Sequence, residues 1–196
     1  MKYLKKFNEG RSDLETSKAI LYDGFEMLMK NTHLVQEQVR ENLDNFIDNL
    51  NINKLENKFG KIKKFLGAGV FGAVFQLDNG KVLKITFDFH EAPFLYKYCK
   101  LNKTTGFVEV DEVYKIKFGN TNAYIITRNP IEVLPNLDDY ESEVENAKNA
   151  MYRISPEWRG THPGNFGFQN GKVVLYDGFC KKAKVDEKQI PFLDLQ

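Results

Sequence analysis

Three glycines, a lysine, an asparagine and an aspartate have the types and spacing needed to hold a phosphate chain and a divalent cation. Residues 67 to 74 read Gly67-Ala68-Gly69-Val70-Phe71-Gly72-Ala73-Val74. A backbone stripped of Cβ atoms can bring its N–H donors to phosphate oxygens, and glycine also tolerates positive φ. Lys84 follows in the strand-like run Val82-Leu83-Lys84-Ile85-Thr86, an ammonium able to offset phosphate charge. Further on come His162-Pro163-Gly164-Asn165-Phe166-Gly167 and then Val173-Val174-Leu175-Tyr176-Asp177. The Asn165 amide oxygen and the Asp177 carboxylate are hard ligands of the kind Mg²⁺ takes. Each residue also has a plainer use: the glycines in a tight hairpin, Lys84 on an edge strand, Asn165 in a turn, Asp177 as a cap.

The surroundings of the glycines decide between kinds of clamp. A dinucleotide fingerprint needs a helix opening at the last glycine. Here Ala73-Val74-Phe75-Gln76-Leu77 is followed by the turn Asp78-Asn79-Gly80 and another apolar strand, so the run is strand, turn, strand. Strands are predicted at Ile62 to Leu66, Ala73 to Leu77 and Val82 to Thr86. A helix is predicted over Glu91 to Leu101, with Pro93 in its first turn. Two more strands follow, Phe107 to Lys117 and Ala123 to Arg128, parted by Gly119-Asn120-Thr121-Asn122.

Ahead of the sheet, Ser12 and Glu15 make a capping box, and Leu14, Ile20, Leu21, Phe25 and Leu28 fall on one helical face. Asn31 or Thr32 caps a second helix, with Val35, Val39, Leu43, Phe46, Ile47 and Leu50 at three-and-four spacing. This hairpin is expected to pack on the sheet or to dock a protein partner. Beyond the sheet, Asn129-Pro130 and Pro135-Asn136 mark a linker. A helix is predicted from Asp138 to Ile154, then a β-hairpin turning at Asn170-Gly171. The expected class is α+β, with a helical extension over 1–58, a five-stranded antiparallel small lobe over 59–129, and a reduced C-terminal lobe over 130–196.

The chain has 196 residues, with 28 Lys and Arg against 27 Asp and Glu. No net field favours nucleic acid or an anionic membrane. Cys99 and Cys180 form neither a metal-ligand spacing nor a disulfide framework, which fits a reducing compartment. Lys181-Lys182-Ala183-Lys184 reads as a solvated surface run. No apolar stretch reaches a membrane span, and Met1 to Phe7 lacks a signal-peptide core. A cytoplasmic protein with no nucleic-acid or membrane partner is expected. The richness in Lys, Asn, Ile and Phe, with the opening Met1-Lys2-Tyr3-Leu4-Lys5-Lys6-Phe7-Asn8-Glu9, resembles small phage-encoded proteins, for which a host cell or virion is the setting.

Taken together, the glycine run with Val74 in register, Lys84 on the next strand, and the His162-to-Asn165 loop followed by a strand ending in Asp177 resemble the protein-kinase-like superfamily over residues 60 to 180. The small kinases and aminoglycoside-phosphotransferase-like enzymes with a His-Pro-Gly-Asn loop are the similar variants. The resemblance implies ATP and Mg²⁺ as cofactors. It implies that Gly67, Gly69 and Gly72, with Val70 and Val74, cover the phosphates and that Lys84 binds them. Glu91 is then the candidate ion-pair partner of Lys84, Val82 roofs the base, and Asn165 and Asp177 are the metal ligands.

Three departures modify that expectation. The family's catalytic Asp, five residues before the metal-binding Asn, falls at Gly160, and a glycine can accept no proton. His162 is a candidate substitute base, against a reading in which it supports the loop. The family's Asp-Phe-Gly stands here as Asp177-Gly178-Phe179. Val82 replaces a smaller alanine above the base. With 19 residues after Asp177, an activation segment and large helical lobe are not expected. The leading expectation is an ATP- and Mg²⁺-binding pseudokinase or regulator. The alternatives are a minimal active phosphotransferase or nucleotidyl transferase, and a structural or partner-binding protein of a virion or host interaction.

Overall fold

The computed structural model describes residues 13–31, 46–119, 121–134, 136–178 and 186–196. The fold is α+β, with a five-stranded antiparallel sheet in the order β1-β2-β3-β5-β4 and a small sheet in the order β6-β7-β8. The strands are β1 (Ile62–Ala68), β2 (Gly72–Leu77), β3 (Val82–Thr86), β4 (Glu112–Phe118), β5 (Thr121–Arg128), β6 (Glu132–Val133), β7 (Phe166–Gln169) and β8 (Lys172–Leu175). The helices are α1 (Asp13–Asn31), α2 (Ile52–Phe59), α3 (Glu91–Phe94, continuing as a π-helix over Leu95–Leu101) and α4 (Glu141–Ile154). Backbone contacts divide the chain into two compact units. The first takes in the chain up to Phe87 with Ile116–Ala123 and Leu193–Gln196, and the second Asp88–Lys115 with Tyr124–Phe192.

In the first unit, α1 lies against β1 and β2 with Leu21, Phe25 and Leu28 buried. Gly24 is what lets it come close: a Cβ there would stand 2.6 Å from the Phe75 ring and 3.1 Å from that of Phe65. Phe25, Phe46 and Phe118 pack ring to ring at 4.5 to 6.2 Å, and Phe87 meets Phe118 edge-on at 4.8 Å. The apolar stripe of α1 is thus spent on the sheet, the first of the two roles expected for it. Of the second predicted helix, residues 46–49 are helical; Asn31, one of its two expected caps, is instead the last residue of α1, and Thr32 and the stripe through Leu43 lie outside the described residues. The Ser12 cap, Asn120, Pro135, Phe179, Cys180 and the Lys181 run lie outside them too.

Helix α2 is an element the sequence reading passed over. Asn51 caps it by accepting from Lys54 N at 3.0 Å, and Ile52, Leu55 and Phe59 are buried at helical spacing. Ser17 of α1 donates to Glu56 of α2 at 2.5 Å, and Asn79 in the β2–β3 turn donates to Phe59 O at 2.8 Å. The Asn79-Gly80 turn forms as expected, with Gly80 at φ 82°.

In the second unit, α4 covers β8, and Val144, Ala147, Ala150 and Met151 enter a core with Phe94, Phe107, Trp158, Phe166 and Leu175. The helical run from Glu91 to Leu101 and the α4 helix agree with expectation, a short 3-10 turn at Asp138–Tyr140 preceding α4. The strand expected over Phe107 to Lys117 is corrected: β4 begins at Glu112, while Phe107 bridges in parallel to Leu175. Val108 N–H donates to Leu175 O at 3.0 Å and Leu175 N–H to Gly106 O at 2.8 Å. Gly106, at φ 85°, brings the chain so near α4 that a Cβ would lie 2.9 Å from Ala147 Cα. That approach turns the segment away from the larger sheet. The expected C-terminal hairpin forms as β7–β8, with Asn170 and Gly171 at positive φ, and gains β6 as a third strand.

Candidate functional site

The residues expected to clamp phosphate lie in the first unit. Gly67 pairs with Val74 and Val74 with Lys84, so all three project to one face of the sheet. Phe65, Phe75, Leu83 and Ile85 point to the opposite face, where α1 packs. The flap is closed at its base by Gly69 N–H to Gly72 O at 2.9 Å and by Phe87 N–H to Phe71 O at 2.7 Å. Thr86 Oγ1 donates to Phe71 O at 3.2 Å. Gly69 and Val70 form its exposed tip, and Val82 is buried in β3.

The three flap glycines are glycine for two different reasons, neither of them positive φ. At Gly72 a Cβ would stand 2.7 Å from Ile85 O and 3.0 Å from Thr86 Cβ, so strand packing demands glycine there. At Gly67 and Gly69 a Cβ would meet nothing within 4 Å. Two glycines in open space, above the face that carries Lys84, leave room for an approaching group.

The remaining site residues lie in the second unit. Asp88 Oδ1 accepts from His90 N–H at 2.8 Å and Glu91 N–H at 3.1 Å, which starts α3 and holds Glu91 in place, 8% exposed. Asn165 ends a one-turn 3-10 helix, Pro163–Asn165, capped by His162 Nδ1 accepting from Gly164 N–H at 3.1 Å. His162 is exposed, and its Nδ1 supports the loop through that cap. Asn165 Nδ2 donates to Gly160 O at 3.0 Å, and its N–H to His162 O at 3.0 Å. Tyr176 N–H donates to Asn165 O at 2.9 Å, which joins the loop to the residue before Asp177. Asp177 is exposed, and its Oδ1 accepts from Gly178 N–H at 2.7 Å.

Gly160 is enclosed. A Cβ would stand 2.5 Å from Trp158 Nε1 and 2.6 Å from Gly178 O. Those two atoms are themselves bonded, the indole donating at 2.7 Å, with the Trp158 ring buried and edge-on to Tyr152 at 5.5 Å. Gly178, at φ 74°, has the Asn165 side chain where its own Cβ would be. Glycine at 160 and at 178 is thus required by one interlocked loop, with Trp158 as its strut.

Arg128 was not among the expected site residues, and it lies beside Tyr176 in this unit. Burial pulls its guanidinium pKa below the ordinary value, and Glu91, Tyr176 and Asp177 oppose that pull in decreasing order. Its Cζ lies 5.7 Å from the Tyr176 ring centroid, and Nη1 donates to Asn129 O at 3.5 Å. In the sequence Arg128 reads as a strand-ending charge before Asn129-Pro130, and nothing there ties it to Glu91 or Asp177. The Asp177 carboxylate and Asn165 Oδ1 suit Mg²⁺ in kind. Among the described residues no three His, Cys, Asp or Glu side chains converge as a metal site.

The fold and site define an α+β chain with a glycine-flapped antiparallel sheet in one unit and an interlocked Asn/Asp loop in the other. No family model matches the chain. No curated protein matches it either. Among solved structures it is similar to a mutant of the PAN3 pseudokinase of Neurospora crassa, with 16% identity and a TM-score of 0.34, over 61% of this chain and 36% of that one. It is also similar to the Drosophila melanogaster PAN3 pseudokinase, with 12% identity and a TM-score of 0.33, over 59% and 39% of the two chains. The chain spans less than two fifths of either structure's length.

Proposed function

We propose that this protein is a kinase-like nucleoside-triphosphate-binding module that does not carry out efficient phosphoryl transfer. The observation that carries the binding half is the pair of glycines at 67 and 69. Nothing inside the fold requires them, no positive φ explains them, and Gly67 shares its sheet face with Lys84. A flap with two glycines open to solvent, on a sheet that carries an ammonium, is suited to a polyphosphate.

The weak-transfer half rests on Gly160, whose surroundings leave no volume for the carboxylate that would accept a proton from the acceptor hydroxyl. General-base help is worth about 10² to 10⁴ in rate, so its loss leaves transfer slow. The test pairs calorimetric titration of the full chain with ATP with incubation in γ- and α-labelled ATP. Saturable binding with no label transferred is the expected result. Rapid γ-transfer would support the minimal phosphotransferase instead, α-transfer the nucleotidyl transferase, and no binding a structural role.

A further inference from the structure

A cavity of about 690 Å³ lies wholly within the second unit, in the size range of small-molecule sites. Its walls are residues 103–111 between α3 and β4, the start of α4, and the β7–β8 hairpin. None of the flap residues, nor Lys84, lines it.

The walls are held in place by the fold itself. Gln169, 3% exposed, accepts from Glu109 N–H at 2.6 Å and donates to Glu109 O at 3.0 Å, so its side chain stands in for a strand partner along that wall. Asn170 Nδ2 donates to Glu109 Oε2 at 3.0 Å, a second tie between hairpin and wall. Phe168 meets Tyr140 edge-on at 4.8 Å, which joins the hairpin to the turn ahead of α4.

Two features of the lining define a ligand. The Tyr140–Phe168 pair offers an aromatic wall, on which a further ring can pack offset or edge-on. The lining also carries both signs of charge, the carboxylates of Glu109, Asp111 and Glu143 and the ammoniums of Lys103 and Lys172. A polyanion or a polycation meets repulsion from one of these sets. A ligand that bears one ammonium and one carboxylate can pair with both.

We propose that this cavity binds a small zwitterion with an aromatic ring, of the class of free aromatic amino acids and their dipeptides. The site stands apart from the nucleotide reading and does not depend on it.

The test is calorimetric titration of the full chain with tryptophyl-glycine, beside N-acetyl-tryptophyl-glycine, which lacks the cation, and tryptophyl-glycinamide, which lacks the anion. Saturable binding of the zwitterion at or below about millimolar is expected, at least about tenfold weaker for either blocked form. Glu143→Gln and Lys172→Gln, both at exposed positions, should each weaken it at least about threefold while leaving the thermal midpoint unchanged. No saturable heat at about 10 mM dipeptide, or equal affinity for the blocked forms, would overturn the proposal. Wild-type affinity in both variants would overturn the assignment to this cavity, as would displacement of the dipeptide by ATP.

Discussion

Gly160 is the residue at which sequence and structure make different statements about the same loss. By resemblance it is a position that lacks a carboxylate. In the structure it is a position with no room for one, because Trp158 Nε1 and Gly178 O fill the space where a side chain would start. Gly160→Asp therefore should not restore transfer. Forcing a side chain into that interlock should cost about 1–3 kcal/mol of stability, read as a lower urea midpoint. A stable and active Gly160→Asp protein would contradict the loop described. Two buried acids predict a pH dependence. Burial, with Glu91, raises the Cys99 thiol, and burial, with Glu187 at 2.8 Å and Asp88, raises the Tyr124 hydroxyl. Both folded-state pKa values lie above their unfolded values, so the native form keeps protons that the unfolded chain releases. Their stabilisation is complete at neutral pH and declines once pH passes about 8.5 for the thiol and about 10 for the phenol. Urea midpoints between pH 7 and 10.5 should fall accordingly, and a flat profile would argue against both burials.

Elements were legible where one strong local signal governed them. The strands around Gly72 and Asn79-Gly80, the α3 start and the α4 stripe all carry period or turn signals that tertiary packing leaves in force. Helix α2 was missed because eight residues with three apolar positions, Ile52, Leu55 and Phe59, give too short a stripe to distinguish from a loop. The Phe107 segment was misread because its β-prone residues favour a strand whichever sheet they join, and Gly106 against Ala147 makes that choice through a contact distant in sequence. Arg128 was invisible as a site residue for the same reason. The glycine in α1 is the element-scale counterpart. Gly24 costs helix propensity of about 1 kcal/mol relative to alanine, yet alanine would drive a methyl into the Phe75 ring. Overpacking costs about 1–3 kcal/mol, so Gly24→Ala should come out neutral to destabilising by up to about 2 kcal/mol instead of stabilising. A clear gain in thermal midpoint would mean that α1 does not sit on β1 and β2 as described.

Across the whole molecule, the two sets of site residues belong to different compact units, the flap with Lys84 in one and the Asn165–Asp177 loop with Arg128 in the other. The flap offers the sharpest test, because its stability and its function should separate: Gly69 has open space where a Cβ would go, so Gly69→Ala is expected to leave the fold alone. The decisive measurement is calorimetric titration of the full chain with ATP, wild type beside Gly69→Ala and Lys84→Ala, with thermal midpoints recorded on the same samples. The account predicts saturable binding by the wild type at or below about millimolar ATP, at least about tenfold weaker in each variant, with midpoints within about 2 °C of wild type. No saturable heat at millimolar ATP, or equal affinity in all three proteins, would contradict it.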